Sequence, residues 1–411
     1  LNSIFYFSYE RCYLTWQYKW KLSMKTKDVL ILLFVSAMCS CSLSKKEDRE
    51  AGKSIQIEIE ENSKIKFSDI FDQVDYMPLE TTDTSLVGIV ERFRMFDNKV
   101  CILCDKALLL FDASTGQAIS KISKLGNAPG EYQSLYDVSI SKEGNIELLD
   151  MNGRKIRRYD INGTFKNSSD LPSMGFSFFT NEKNDYWLYN NNMPYEDIKS
   201  KVVHYDASKG AVKEQYFPID MHIANYFFVV EGNNFVKRKG DLLFFSCPSE
   251  RIYSLKEGAE PTVAYIIDWG KHAVPSDFYS HNYSDVMEFS IEANKRGYVY
   301  FVNNFSANDN YIQFSFFLDK VAYWSIYSEH NRMNYTGCVL QDDLNFLMDF
   351  QIDNLNTLYA MDENYLYFLL SAEQFIEICD NDNALFELVN RSNISDQSNP
   401  LLVKCRFKGN L

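Results

Sequence analysis

The sequence predicts an all-β fold: a six-bladed β-propeller of four-stranded antiparallel blades, closed by an N-terminal strand that pairs with the last blade. Three observations carry this prediction. From residue 55 onward short strand-like runs dominate, and only 373–390 offers a helical period. Asn-Gly and Gly-Asn turns separate alternating runs in 137–172. One fragment shape, a short strand followed by an aromatic, Asp and a Gly-containing turn, recurs as LLLFDASTG, IRRYDINGT and VVHYDASKG.

The elements follow in chain order. Residues 1–23 precede the start expected at Met24 and match no part of a signal, so they read as a non-native upstream segment. Residues 24–40 carry Lys25 and Lys27 ahead of the apolar run Val29–Val35, which is far shorter than the roughly 20 residues of a spanning helix. This is the pattern of an export signal. Its end in small residues and cysteines resembles a lipobox, with Cys41 after Ser40 as the residue expected to carry lipid; Cys39 follows the bulkier Met38. Residues 41–54 are charged and almost free of large apolar side chains, the composition of a solvated tether.

Residues 55–411 are expected to form the propeller. SIQIEIEEN, with Ile55, Ile57 and Ile59 alternating, is the candidate closing strand, to be paired near 401–407. A first meander covers 88–125. A second covers 137–172, with turns at Gly144-Asn145, Asn152-Gly153 and Asn162-Gly163, read as type I′ where both central residues take positive φ. Further units are expected to start near Phe176, Asn234 and Phe289, and a last one near Leu358, finished by LLVKCRF. A recurrence at roughly 40 to 60 residues is the signature of a propeller or solenoid. Closing the ring leaves few exposed sheet edges.

The chain has 42 Lys and Arg against 56 Asp and Glu, a net charge of −14; without residues 1–40, which hold five basic and two acidic residues, it is −17. Such acidity repels phosphate backbones, so nucleic acid is excluded as a partner, and the only membrane contact expected is through the lipid anchor. Six of the nine cysteines lie beyond Cys41, and Cys101 and Cys104, three apart on a strand, point to opposite faces and suit burial better than chelation.

The motifs GxSxG, HExxH, GxxxxGK[ST] and GxGxxG are all missing from the sequence, so no catalytic residue, cofactor or metal is assigned. His204, His222, His272, His281 and His330 show no ligand spacing. The Asp380–Asn383 run starts like a calcium loop but continues with Ala384 and Leu385 where an oxygen ligand and a Gly are required. Ligand-binding candidates are Glu131 and Tyr132 in GNAPGEY, and Trp269, His272, Tyr279 and His281 in the aromatic-rich loop 269–286, where rings can stack on sugars or anchor a partner. Gly126, Pro129 and Gly130 also suit a purely structural crossing between blades.

Two stretches carry a family resemblance: DYMPLETTDTSLVGIVERF (75–93), with Pro78-Leu79-Glu80 and Val87-Gly88, and KLGNAPGEYQSLYDVSI (124–140), with Gly126 through Tyr132. They resemble the signature segments of the Bacteroides-type six-bladed β-propeller lipoproteins, departing at Asn127-Ala128, where relatives often carry a further Gly. The resemblance implies an NHL-like propeller on a lipid anchor at the outer membrane, often encoded among nutrient-acquisition genes. It implies no reaction. The reading is therefore an outer-membrane lipoprotein that binds a glycan, peptide or protein ligand; the alternative is a hydrolase or lyase with its site in the central channel.

Overall fold

The computed structural model describes residues 52–180, 185–221, 233–351, 359–379 and 385–409. Cys41, His222 and the Asp380–Asn383 run lie outside them. Six four-stranded blades follow one another along the chain. Blade 1 is Val90–Phe96, Lys99–Cys104, Ala107–Asp112 and Ala118–Ile122; blade 2 is Leu135–Ile140, Ile146–Asp150, Lys155–Tyr159 and Phe165–Asp170. Blade 3 is Ser177–Thr180, Asp185–Tyr189, Ser200–Asp206 and Ala211–Pro218; blade 4 is Phe235–Arg238, Asp241–Phe244, Arg251–Leu255 and Thr262–Asp268. Blade 5 is Tyr300–Ala307, Tyr311–Leu318, Val321–Ser328 and Asn334–Gly337. Blade 6 joins Tyr359–Met361, Tyr365–Leu370 and Leu401–Phe407 to Phe71–Pro78 from the other end of the chain.

The ring is closed. Each innermost strand touches the innermost strands of both neighbouring blades, from 90–96 through 135–140, 177–180, 235–238, 300–307 and 359–361 back to 90–96. Six clusters of buried apolar side chains accordingly fill the gaps between blades, one in each, and a seventh, around Phe278, Tyr283 and Phe289, lies between blades 4 and 5 in the 269–299 insertion. Blade 1 shows why both faces of every strand must be apolar: Cys101 packs toward blade 2 and Cys104 toward blade 6. The expectation that they face apart therefore holds, and all six cysteines of the described residues are free thiols.

The recurring fragment has a common chemical function. Asp112 and Asp206 end the third strand of a blade and Asp160 directly follows one, and each carboxylate accepts backbone N–H groups of the following turn: Ser114 and Thr115, Asn162 and Thr164, Ser208 and Lys209. These bonds lock the outer hairpin. The turns themselves differ from type I′. In blade 2 only Gly144 and Gly163 (φ +78° and +79°) and Arg154 (φ +49°) are left-handed, one residue per turn, because the serine or aspartate before each turn ties the remaining amides.

Closure by an N-terminal strand that pairs with the last blade is as expected, but the strand is a different one. Phe71–Pro78 lies antiparallel on Leu401–Phe407, with Tyr76 opposite Val403. The segment Lys53–Gln56 instead runs parallel to Thr262–Asp268 as a fifth strand of blade 4, so it also takes up the last two residues of the stretch read as tether. Its alternation was real, since Ile55 and Ile57 are buried between blades 4 and 5. Alternation reports a buried face and says nothing about the partner.

The unit expected to start near Phe289 starts at Tyr300; Val286–Lys295 is a helix, capped by the Asp285 carboxylate accepting from the Glu288 N–H, with Phe289 and Ala293 buried. It belongs to an insertion between blades 4 and 5. The helical period in 373–390 resolves into Ala372–Ile378, opened by a Ser371/Gln374 capping box, and Phe386–Arg391.

The segments that carry the family resemblance act as clips. Glu80 donates its N–H to the Gly116 carbonyl (2.8 Å) and accepts from the Ala118 N–H (2.7 Å), tying the closing strand to blade 1. The buried Asn399 amide donates to the Glu80 and Ser85 carbonyls and accepts from the Val87 N–H.

Candidate functional site

The innermost strands bring polar and apolar side chains together at the axis. Arg94 donates to Asp137 (2.8 Å), with side chains only 6% and 3% exposed, and Asp137 also accepts the N–H groups of Val138 and Phe178. Arg92, one pleat away, donates to the Tyr136 and Phe176 carbonyls. These bonds stitch blades 1, 2 and 3 together at the ring centre.

An axial cavity of about 250 Å³ is lined from all six innermost strands, among them Arg94, Ser139, Phe179, Lys237, Asn308 and Asp362. Toward the face that carries the hairpins between first and second strands it meets a wider cavity of about 570 Å³, with which it shares Phe96, Ser139, Phe179 and Lys237. The two form one funnel. Its mouth adds the edge of Trp187 and the charged side chains of Lys142, Glu143, Asp241, Lys256 and Glu257. Aromatic faces beside closely spaced donors and acceptors are what a sugar ring or a short peptide requires.

A second cavity, about 360 Å³, opens on the opposite face over the junction of blades 4 and 5. It brings together Trp269 and Tyr279, two of the residues picked out by the sequence, with Cys247, Glu250, Arg251 and Phe301. Burial pushes the Cys247 thiol up to about 12 and raises the Tyr279 phenol, so both are protonated at neutral pH. The blade 5 strand beside it is doubly bulged, and Phe301 and Asn304 sit at φ +50° and +53°. Bulges and left-handed non-glycine residues are backbone strain that surrounding structure must hold in place.

The remaining candidates are placed elsewhere. His272 bonds through Nδ1 to the Gly297 carbonyl, and His281 is exposed with its ring against Tyr283. Tyr132 is wholly buried between blades 1 and 2; its hydroxyl donates to the Lys106 carbonyl (2.7 Å) and accepts from the Lys124 N–H. Glu131 turns back onto the Ala128 N–H. Neither lines the funnel or the rim cavity, and the GNAPGEY loop fits the structural reading given above: Gly130, at φ +83°, lies flat against Phe165, where a Cβ would come within 3.0 Å. The sequence reading missed Phe96, Phe179, Lys237 and the funnel edge of Trp187. Trp187 alternates in register like any core residue, and nothing local reveals that one edge meets an axis built from five other blades.

Ring and funnel define a six-bladed β-propeller with a cavity at its axis. The chain belongs to the family described as a domain of unknown function, DUF4934, which matches residues 53–406. No curated protein matches it. Among solved structures it is similar to a protein of Bacteroides fragilis described as exported, at 16% identity and a TM-score of 0.67, covering 87% of this chain and 99% of that one. It is also similar to a DUF4221 family member of Bacteroides vulgatus (12% identity, TM-score 0.48, 83% and 98% covered). The virginiamycin B lyase of Staphylococcus aureus follows at 10% identity, TM-score 0.40, with 81% and 99% covered. At these identities the likeness is one of fold.

Proposed function

We propose that the chain is an envelope binding protein, exported under the 24–40 signal, anchored at the outer membrane by lipid on Cys41, and taking a glycan or peptide in the axial funnel. The observation that supports this most is the funnel itself: Phe96, Phe179 and Trp187 beside Lys142, Glu143, Lys237 and Asp241, continuous with a channel reached from all six blades. Arg94 and Asp137 hold each other and the neighbouring backbone, an arrangement that favours a rigid binding ring over acid–base turnover. None of the four described histidines is among the residues lining the funnel.

The test is a glycan array and a peptide library probed with the full chain, followed by titration of any hit. Replacing Phe179, which is only part-buried, by Ala is expected to weaken the hit by about 1–3 kcal/mol, the range for losing one aromatic stacking partner. A hit whose affinity is unchanged in Phe179→Ala and Lys237→Ala places the ligand elsewhere. Silence in both screens, with turnover of a substrate, refutes the binding role.

A further inference from the structure

Blade 3 presents three side chains on one face toward blade 4: the strand register sets Trp187 opposite His204 and His204 opposite Glu214. The indole stacks on the imidazole at 4.3 Å, and His204 is wholly buried. Its Nδ1 lies 2.9 Å from Glu214 Oε2; in the tautomer that donates its Nδ1–H to that carboxylate, the Nε2 lone pair faces the other way. Nε2 has no hydrogen-bond partner, and what it faces is Asp185 Oδ2, 3.6 Å away. In that tautomer a lone pair is set against a carboxylate, and a cation standing between the two turns the contact from repulsive to attractive. Glu257, from the outer hairpin of blade 4, completes the group: one ligand atom each of Asp185, His204 and Glu257 lie within 4.8 Å of one another. A cation already works here in part, because the Lys213 ammonium contacts both Asp185 and Glu257.

We propose that Asp185, His204 and Glu257 form a Zn²⁺ site between blades 3 and 4, with Glu214 orienting the imidazole from behind and the Lys213 ammonium giving way to the ion. One nitrogen and two carboxylate oxygens are a ligand set that zinc accepts at about 2.0–2.2 Å, so the three groups need to close in by only about an ångström or so. A carboxylate behind the ligating histidine is the usual outer-shell arrangement that fixes its tautomer. Lys213 is part-exposed and sits on a flexible stem, so its head can swing to solvent. Glu257 and Trp187 also line the funnel mouth, which puts the ion in the funnel wall. The site does not depend on what the funnel binds.

The test is titration of the metal-free full chain with zinc chloride by calorimetry, with bound zinc counted by mass spectrometry after dialysis. Wild type is compared with Glu257→Gln, Glu214→Gln, Lys213→Met and His281→Ala. The expected result is one zinc per chain that is lost or weakened at least about tenfold in Glu257→Gln and about 10- to 100-fold in Glu214→Gln. Lys213→Met, which removes the competing ammonium, is expected to bind more tightly, and His281→Ala, at an exposed histidine away from the cluster, to match wild type. Glu257 is half-exposed, so its variant keeps the fold and the test stands even if a His204 variant does not fold. Zinc binding by Glu257→Gln and Lys213→Met indistinguishable from wild type overturns the site, as does a wild-type chain that retains no zinc.

Discussion

Asp137→Asn is the sharpest probe of how the ring centre is held. The carboxylate takes one charged bond from Arg94 at 2.8 Å and two backbone bonds, from Val138 at 3.0 Å and Phe178 at 3.2 Å. Asparagine keeps the shape but removes the charge facing the Arg94 guanidinium in a site only 6% exposed, and it offers one oxygen to the Val138 and Phe178 N–H groups, which bond different oxygens of the carboxylate. Losing a charge-assisted hydrogen bond costs about 1.5–3 kcal/mol, and stranding one member of a buried pair raises that to about 3–5 kcal/mol. Arg94 also donates to the Phe93 carbonyl, which retains part of its solvation, so the lower end, about 3 kcal/mol, is expected. Urea unfolding followed by intrinsic fluorescence reads this as a shifted midpoint with an unchanged slope. The double variant Arg94→Met/Asp137→Asn removes both charges and is expected to recover about 2 kcal/mol relative to the sum of the single changes. A single variant within about 0.5 kcal/mol of wild type, or strictly additive changes, refutes the argument that this pair clamps blades 1 to 3.

Three other outcomes follow from the same structure. Gly116 sits at φ +72°, and a Cβ there would lie 2.1 Å from the Pro78 carbonyl oxygen, so Gly116→Ala is expected to strain the closing clip by about 1–3 kcal/mol in the same urea assay. Burial pushes the Cys101 thiol up to about 12 and raises Cys104, so neither is expected to react with iodoacetamide at pH 8 in the native chain, while both label in urea; mass spectrometry distinguishes the two. Hydrogen bonds from Ser114, from Thr164 and from Ser208 lower the carboxyls of Asp112, Asp160 and Asp206 below the usual aspartate range. A group depressed on folding stabilises above its unfolded pKa, near 4, and that contribution is lost as pH falls through the folded value; the thermal midpoint of the triple Asp→Asn variant is therefore expected to fall less steeply below about pH 4 than that of wild type.

Local chemistry determined a large part of this protein from sequence alone. The turn residues and alternating runs of 137–172 gave a four-stranded blade with its boundaries within a few residues, because both are properties of neighbours in the chain. The shared Asp-turn fragment marked the outer hairpins of three blades, since an aspartate carboxylate and the amides it binds lie two to four residues apart. Pairing was another matter. Ile55 and Ile57 announced a buried face, yet whether that face met blade 4 or blade 6 depended on register across more than 200 residues. The ten-residue helix at Val286–Lys295 was missed because two buried side chains four apart also fit a strand-rich loop.

The candidate sites divide along the same line. Trp269 and Tyr279 were picked out as aromatics without strand rhythm, and they do share a cavity; Glu131 and Tyr132 were picked out by motif and proved to hold two blades together. Sequence by itself fixed the repeat, the strand faces and the acidic surface, all of which are set by contacts a few residues long. Only the tertiary structure decided which strand closes the ring, which side chains converge at the axis, and that His204 looks toward Asp185 and Glu257. Asp185 and His204 are neighbours within blade 3, but Glu257 and the axial side chains come from other blades, and only the packing of blade on blade brings them close.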